Sequence, residues 1–170
     1  MKQLRLGIWI VVAWLLQVTL LPYVSIYGIV PGILFTVSVC CTVLEEHRSY
    51  YIGIPIICGL IVDIFSSHAF CSATLIYFYI SMLIVVLGTV IEKKRFLFCI
   101  FAVLIGSLLC ESALYLFYMQ TLGTTYQTAF FSIILKTAFY NMVLSFLVYP
   151  LLKKTVYTTR KKHKKRRRMR

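Results

Sequence analysis

An all-α polytopic integral membrane protein, a bundle of six transmembrane helices, is the fold class this sequence predicts. Three observations carry that reading. The 170 residues are 61% hydrophobic and 14% charged, whereas soluble domains are roughly half apolar and about a quarter charged. The apolar residues fall in six long blocks. Lys and Arg lie between the blocks or at the C-terminal end. Five spans are the alternative count.

A hydrocarbon core about 30 Å thick needs roughly 20 helical residues to cross it. The blocks cover about 6–22, 26–44, 50–65, 71–91, 96–118 and 128–152, so residues 1–152 read as one transmembrane domain and 153–170 as a basic tail. The first block opens after Met1-Lys2-Gln3-Leu4-Arg5 and ends at Pro22. Its length and its lack of a small-residue cleavage pattern argue against a signal peptide. The second would measure only about 21 Å if counted from Pro31, so a start near Ile26 with a bend at Pro31 is expected. The third contains Gly53, Pro55 and Gly59. Small residues let helices approach closely, and a proline is tolerated in a first turn or at a kink, which nominates this span as a packed, central helix. The fourth, 71–91, carries no charged residue. The fifth and sixth, joined by a short connection, should form an antiparallel hairpin.

The cations orient the bundle. With six spans both ends of the chain share one side with the turns at Glu45–Ser49 and Glu92–Arg95. That side carries Lys2, Arg5, Arg48, Lys93, Lys94, Arg95 and the eleven Lys and Arg from Lys153 onward, seventeen of the eighteen in the chain. The opposite connections, around 22–25, 66–70 and 119–127, contain none. The positive-inside rule then places both termini in the cytoplasm. A five-span chain would leave either Lys2 and Arg5 or the whole tail outside. Trp9, Trp14, Tyr23, Tyr27, Tyr50, Tyr51, Tyr118, Tyr126 and Tyr157 lie near the expected span ends, where amphipathic rings favour the headgroup layer.

Three ionisable residues fall inside apolar blocks: Asp63, Glu111 and Lys136. Each costs a few kcal/mol at the bilayer centre and less near an interface. Glu111 and Lys136 come at matched depth in the expected hairpin and form a candidate intramembrane ion pair, since opposite charges lower each other's desolvation cost. The plainer readings are a lock on the hairpin or a snorkelling lysine. Asp63, near the outer end of span three, is either hydrated, or caps the N–H groups opening the next helix, or orients a partner. Gln17, Gln120 and Asn141 are lone amides able to bond across helices.

No metalloprotease, phosphate-loop, nucleophile-elbow or dinucleotide motif is present. His47, His68 and His163 are scattered over both sides, unsuited to one metal site. The six cysteines, Cys40, Cys41, Cys58, Cys71, Cys99 and Cys110, lack C-x-x-C spacing and read as buried thiols. The expectation is a non-enzymatic protein with neither cofactor nor metal. The net charge of +13 belongs to the tail: the chain before Lys153 carries only +2. Arg160, Lys161, Lys162, Lys164, Lys165, Arg166, Arg167, Arg168 and Arg170, next to a span, fit anionic phospholipid. Nucleic acid is disfavoured, because no stacking aromatics or folded module accompany the charges.

Several of these residues form a pattern. Leu15-Leu16-Gln17-Val18-Thr19 closes span one, and Tyr27-Gly28-Ile29-Val30-Pro31 opens span two. Cys58-Gly59-Leu60-Ile61-Val62-Asp63-Ile64-Phe65 ends span three, and Thr74-Leu75-Ile76-Tyr77 follows in span four. Over roughly residues 8–91 the chain resembles MreD, the small integral membrane subunit of the bacterial rod-shape machinery. It differs in having Gly32 where the family often carries Asp or Asn, and Glu45-Glu46-His47-Arg48 where the family has a basic, Gly-containing turn.

The resemblance implies a partner protein of the cell-elongation assembly. Such proteins bind the bitopic protein MreC, alongside the filament MreB, the glycosyltransferase RodA and a class B penicillin-binding protein, and help organise lateral peptidoglycan synthesis and so cell shape. It implies residence in the bacterial plasma membrane. It makes Gly59 and Asp63, with Pro31 and Gln17, the positions for partner-binding or fold-defining contacts. The alternative is a substrate-binding membrane subunit of a small-molecule (vitamin) transporter, whose outer cavity would draw on Asp63, Ser66, Ser67, His68, Thr124 and Thr125.

Overall fold

The computed structural model describes residues 2–19, 23, 30–45, 48–65, 71–90, 96–122 and 127–157. The described residues form six α-helices and no strand: α1 (Lys2–Thr19), α2 (Ile33–Leu44), α3 (Arg48–Phe65), α4 (Ser72–Val90), α5 (Phe96–Leu122) and α6 (Gln127–Leu152). A π-helical turn, Lys153–Tyr157, continues α6. Stretches Phe96–Leu116 and Phe131–Val156 are long and apolar enough to cross a membrane; the other apolar helices are shorter.

The second helix departs from expectation. It starts at Ile33, not near Ile26, and Pro31 stands before it with non-helical backbone instead of bending it. The chemistry of Pro31 accounts for this: proline has no N–H to donate and biases the preceding residue away from the α region. Residues 24–29, which the expected span included, lie outside the described ones. With 12 residues, α2 is about 18 Å long.

This short helix is the hub. It packs against all of α1, α3, α4, α5 and α6, and every residue from Ile33 to Val43 is buried. A helix buried all round must be apolar or small on every side, and its sequence, Ile-Leu-Phe-Thr-Val-Ser-Val-Cys-Cys-Thr-Val-Leu, is both. Its hydroxyls return to its own backbone: Thr36 donates to the Gly32 carbonyl at 3.1 Å and Thr42 to that of Ser38 at 3.0 Å. The Phe35 ring meets Tyr77 of α4 edge-on at 5.2 Å. Gly106 of α5 makes room for Phe35 and Ile80: a Cβ there would lie 3.1 Å from the Phe35 ring and 3.2 Å from Ile80.

The helices around α2 bury several small polar residues beside the apolar core and expose large apolar ones. Buried positions include Ser81, Ser107, Thr137, Asn141 and Ser145, whereas Leu4, Ile8, Phe101, Phe131, Phe139 and Leu147 are exposed. Ser107, Thr137 and Ser145 bond carbonyls of their own helices, which meets their hydroxyls, whereas the buried Ser81 hydroxyl and Trp14 indole N–H have no hydrogen-bond partner among the described residues.

Ring contacts fix the orientation of the last two helices. Phe96, at the start of α5, lies 5.4 Å from Phe146 and 5.2 Å from Tyr149, near the end of α6, so the pair is antiparallel. The start of α1 joins the same end. Arg5 donates to the Thr155 carbonyl at 3.2 Å and the Trp9 indole to the Thr155 hydroxyl at 2.9 Å. Pro150 interrupts the helical ladder just before the π-turn that presents Thr155.

Candidate functional site

Three polar side chains from neighbouring helices, Asp63, Gln17 and Asn141, serve two helix starts. The first turn of any helix leaves N–H groups without intrahelical acceptors, and in an apolar interior each unmet donor costs about 1–3 kcal/mol. At the starts of α2 and α4, side chains from neighbouring helices help to meet this need.

For α4 the first residue accepting a helical bond is Cys71, whose carbonyl takes the Leu75 N–H at 3.1 Å. Cys71 has left-handed backbone, with φ of 70°, and a thiol is a poor cap. Asp63, at the far end of α3, supplies the cap from outside. Its two carboxylate oxygens accept the Ala73 and Thr74 N–H groups at 2.9 Å each, and the Thr74 hydroxyl as well. These are the second and third helical residues, the donors that a local N-cap would serve. The carboxylate is also placed at the positive end of the α4 dipole. Asp63 is 5% exposed, so the geometry is that of the capping alternative, not of a hydrated surface carboxylate.

Gly59 lies one turn earlier on the same face of α3. A Cβ on it would fall 2.5 Å from the Thr74 Cα and 2.9 Å from the Thr74 nitrogen. Only glycine lets the start of α4 come this near, and the nearness puts its N–H groups within reach of Asp63. Gly53 has no neighbouring atom within 4 Å of such a Cβ, so it plays no comparable part.

For α2 the opening residue is Gly32, whose carbonyl accepts the Thr36 N–H at 3.0 Å. Gly32 offers no side chain, and two neighbouring helices fill the gap. The Gln17 amide oxygen, from α1, accepts the Leu34 N–H at 2.9 Å, and the Asn141 amide oxygen, from α6, accepts the Gly32 N–H at 2.9 Å. Pro31 needs no acceptor, and its own carbonyl takes the Ile33 N–H at 3.2 Å. The amides thus let a non-helical stretch sit inside the bundle, where each backbone polar group must be met by protein.

The structure therefore brings Gly59 and Asp63 together at one helix start, and Gln17 and Pro31 at another. Asn141, read only as a lone amide, joins the second. Glu111 is half-buried on α5 and Lys136 is exposed on α6. The register set by Phe96 places them within about one helical turn of each other in depth. At the cationic end, the Cys40 and Cys99 thiols of α2 and α5 meet at 3.5 Å, a contact that no spacing in the sequence announces.

Arg160 to Arg170 lie outside the described residues, as do His47, His68, His163, Ser66, Ser67, Thr124, Thr125 and the Lys93-Lys94-Arg95 turn. Among the described residues no three His, Cys, Asp or Glu side chains gather as metal ligands would. What the interior arrangement does chemically is hold helix ends. Comparison with family models, with curated proteins and with solved structures finds no match to this chain.

Proposed function

We propose that this chain is a multi-pass bacterial plasma-membrane protein of the MreD type. It crosses the bilayer six times with both termini in the cytoplasm. Its task is non-enzymatic: it docks a transmembrane helix of an MreC-like partner and helps organise lateral wall synthesis by the elongation assembly. The observation that carries the reading is the Gly59–Asp63 contact with the start of α4. The most telling stretch of the family resemblance, Gly-Leu-x-x-Asp followed by Leu-x-Tyr, coincides with a close interhelical approach at Gly59 and with the carboxylate that caps the start of α4.

Two further features support it. Large apolar side chains are exposed on α1, α4, α5 and α6, a surface that water disfavours and lipid or a partner helix accepts. The buried polar groups at both helix starts are occupied by backbone donors, so the recognition left to the chain is packing between helices. A partner helix would bind through such packing while the basic tail rests on the anionic inner leaflet.

Co-purification of the tagged full chain from mildly solubilised membranes tests this reading. An MreC-like bitopic protein in the eluate is the expected result. A paired ATPase module or a bound vitamin would overturn it in favour of transport. Depletion should round up rod-shaped cells, and unaltered shape and wall synthesis would count against the assignment.

A further inference from the structure

The hub helix and α5 meet through sulfur. Cys40 lies one turn before the end of α2, and Cys99 lies in the first turn of α5. The two are 59 residues apart in the chain, yet their Sγ atoms are 3.5 Å from each other. Both side chains are fully buried, and Tyr149 of α6 lies close to both. None of the six cysteines is in a disulfide.

A sulfur–sulfur bond measures about 2.04 Å, which leaves a gap of about 1.5 Å that small side-chain rotations can close. Cys41 is the neighbour of Cys40 in sequence, but successive residues of a helix point about 100° apart. The partner that the fold offers Cys40 is therefore on another helix. A bond between Cys40 and Cys99 would tie the helix that touches all the others to the first turn of α5.

We propose that Cys40 and Cys99 are a redox-sensitive staple between α2 and α5, a device that does not depend on the functional reading above. As a dithiol, the start of α5 opens and recloses against the hub; as a disulfide, it is locked there. Full burial keeps the thiols inert while the fold is closed. A small uncharged oxidant such as hydrogen peroxide reaches them when the helix end opens, and local opening is commonest at such ends. One thiol, having given up its proton, attacks a peroxide oxygen. The O–O bond breaks, a sulfenic acid forms, and the departing hydroxide takes the proton and leaves as water. On reclosure the second thiol attacks the sulfenic sulfur, the S–O bond breaks and a second water leaves. The two thiols lose two electrons to one peroxide, and a dithiol reductant returns them.

The test uses the full chain in detergent with Cys71→Ser, which removes the one thiol that is not buried. After peroxide treatment and alkylation, peptide mapping should find one dominant link, Cys40 to Cys99, in a chain lighter by two hydrogen atoms. The same treatment of the unfolded chain should spread links over all five thiols. In the oxidised fold, hydrogen exchange at the amides of residues 100–103, which bond back to the first turn of α5, should slow several-fold. The thermal midpoint should rise by about 10 °C, and dithiothreitol should reverse both changes. Cys99→Ser should abolish them; if that variant fails to fold, the mapped link and its reversal in the chain that keeps Cys99 still decide. Thiols at 40 and 99 that stay reduced in the folded chain would overturn the staple. So would links through Cys41, Cys58 or Cys110 in equal yield, or exchange that the link leaves unchanged.

Discussion

Gly59 stands so close to Thr74 that a Cβ built on it would lie 2.5 Å from the Thr74 Cα. The obstacle is backbone, which cannot swing aside as a side-chain tip can. Gly59→Ala should therefore push α3 and α4 apart and destabilise the protein by about 1–3 kcal/mol. Gly53→Ala, on the same helix with open space around it, should be neutral or stabilising by up to about 1 kcal/mol. Thermal unfolding in detergent, run on both variants, checks the contrast, and equal effects would remove the special role of position 59.

Asp63 tests the second half of that junction. Asp63→Ala strands the Ala73 and Thr74 N–H groups and the Thr74 hydroxyl, at about 1–3 kcal/mol. Asp63→Asn keeps one acceptor oxygen and should lose less. Hydrogen exchange at the amides of residues 73 and 74 should accelerate in the order wild type, Asn, Ala. Unchanged exchange in the Ala variant would contradict the cap.

Gln17 and Asn141 hold the same turn of α2 from two directions. Gln17→Leu or Asn141→Leu should each destabilise by about 1–2 kcal/mol, in the range of interhelical hydrogen bonds in membranes. The double variant should fall short of the sum, because once one bond is lost the turn frays and the other bond is worth less. Full additivity in unfolding measurements would show two independent sites.

Much of this architecture is legible in the chain, and the exceptions have physical reasons. Block edges at residues 65, 71, 96 and 152 follow from where apolar stretches meet polar turns, and helices begin or end within a residue of them. The start of α2 escaped because hydropathy does not distinguish helix from extended apolar chain; Val30-Pro31-Gly32 is apolar yet non-helical. Asp63 announces that something polar is nearby, but its use as a cap depends on how closely α4 approaches, which Gly59 governs and no count of charges reveals. Asn141 is one amide in an apolar helix. Its partner, the Gly32 N–H, is a backbone group 109 residues away, invisible to any side-chain pattern.

Glu111 and Lys136 supply a fourth prediction. Lys136 is exposed, so the coupling should be modest, about 0.5–1 kcal/mol. A cycle of Glu111→Gln, Lys136→Met and the double variant, read by unfolding or by yield of assembled protein, should show that coupling. Effects that add within about 0.3 kcal/mol would exclude the contact.

Sidedness of the chain is the claim on which the docking proposal and the role of the tail both rest. With Cys71 replaced by Ser, the five remaining native thiols are buried, and a single new cysteine reports its own location. In intact cells a membrane-impermeant maleimide should label Ser67→Cys and should reach His163→Cys only after permeabilisation. Labelling of residue 163 in intact cells, or equal labelling of both positions, would contradict the account.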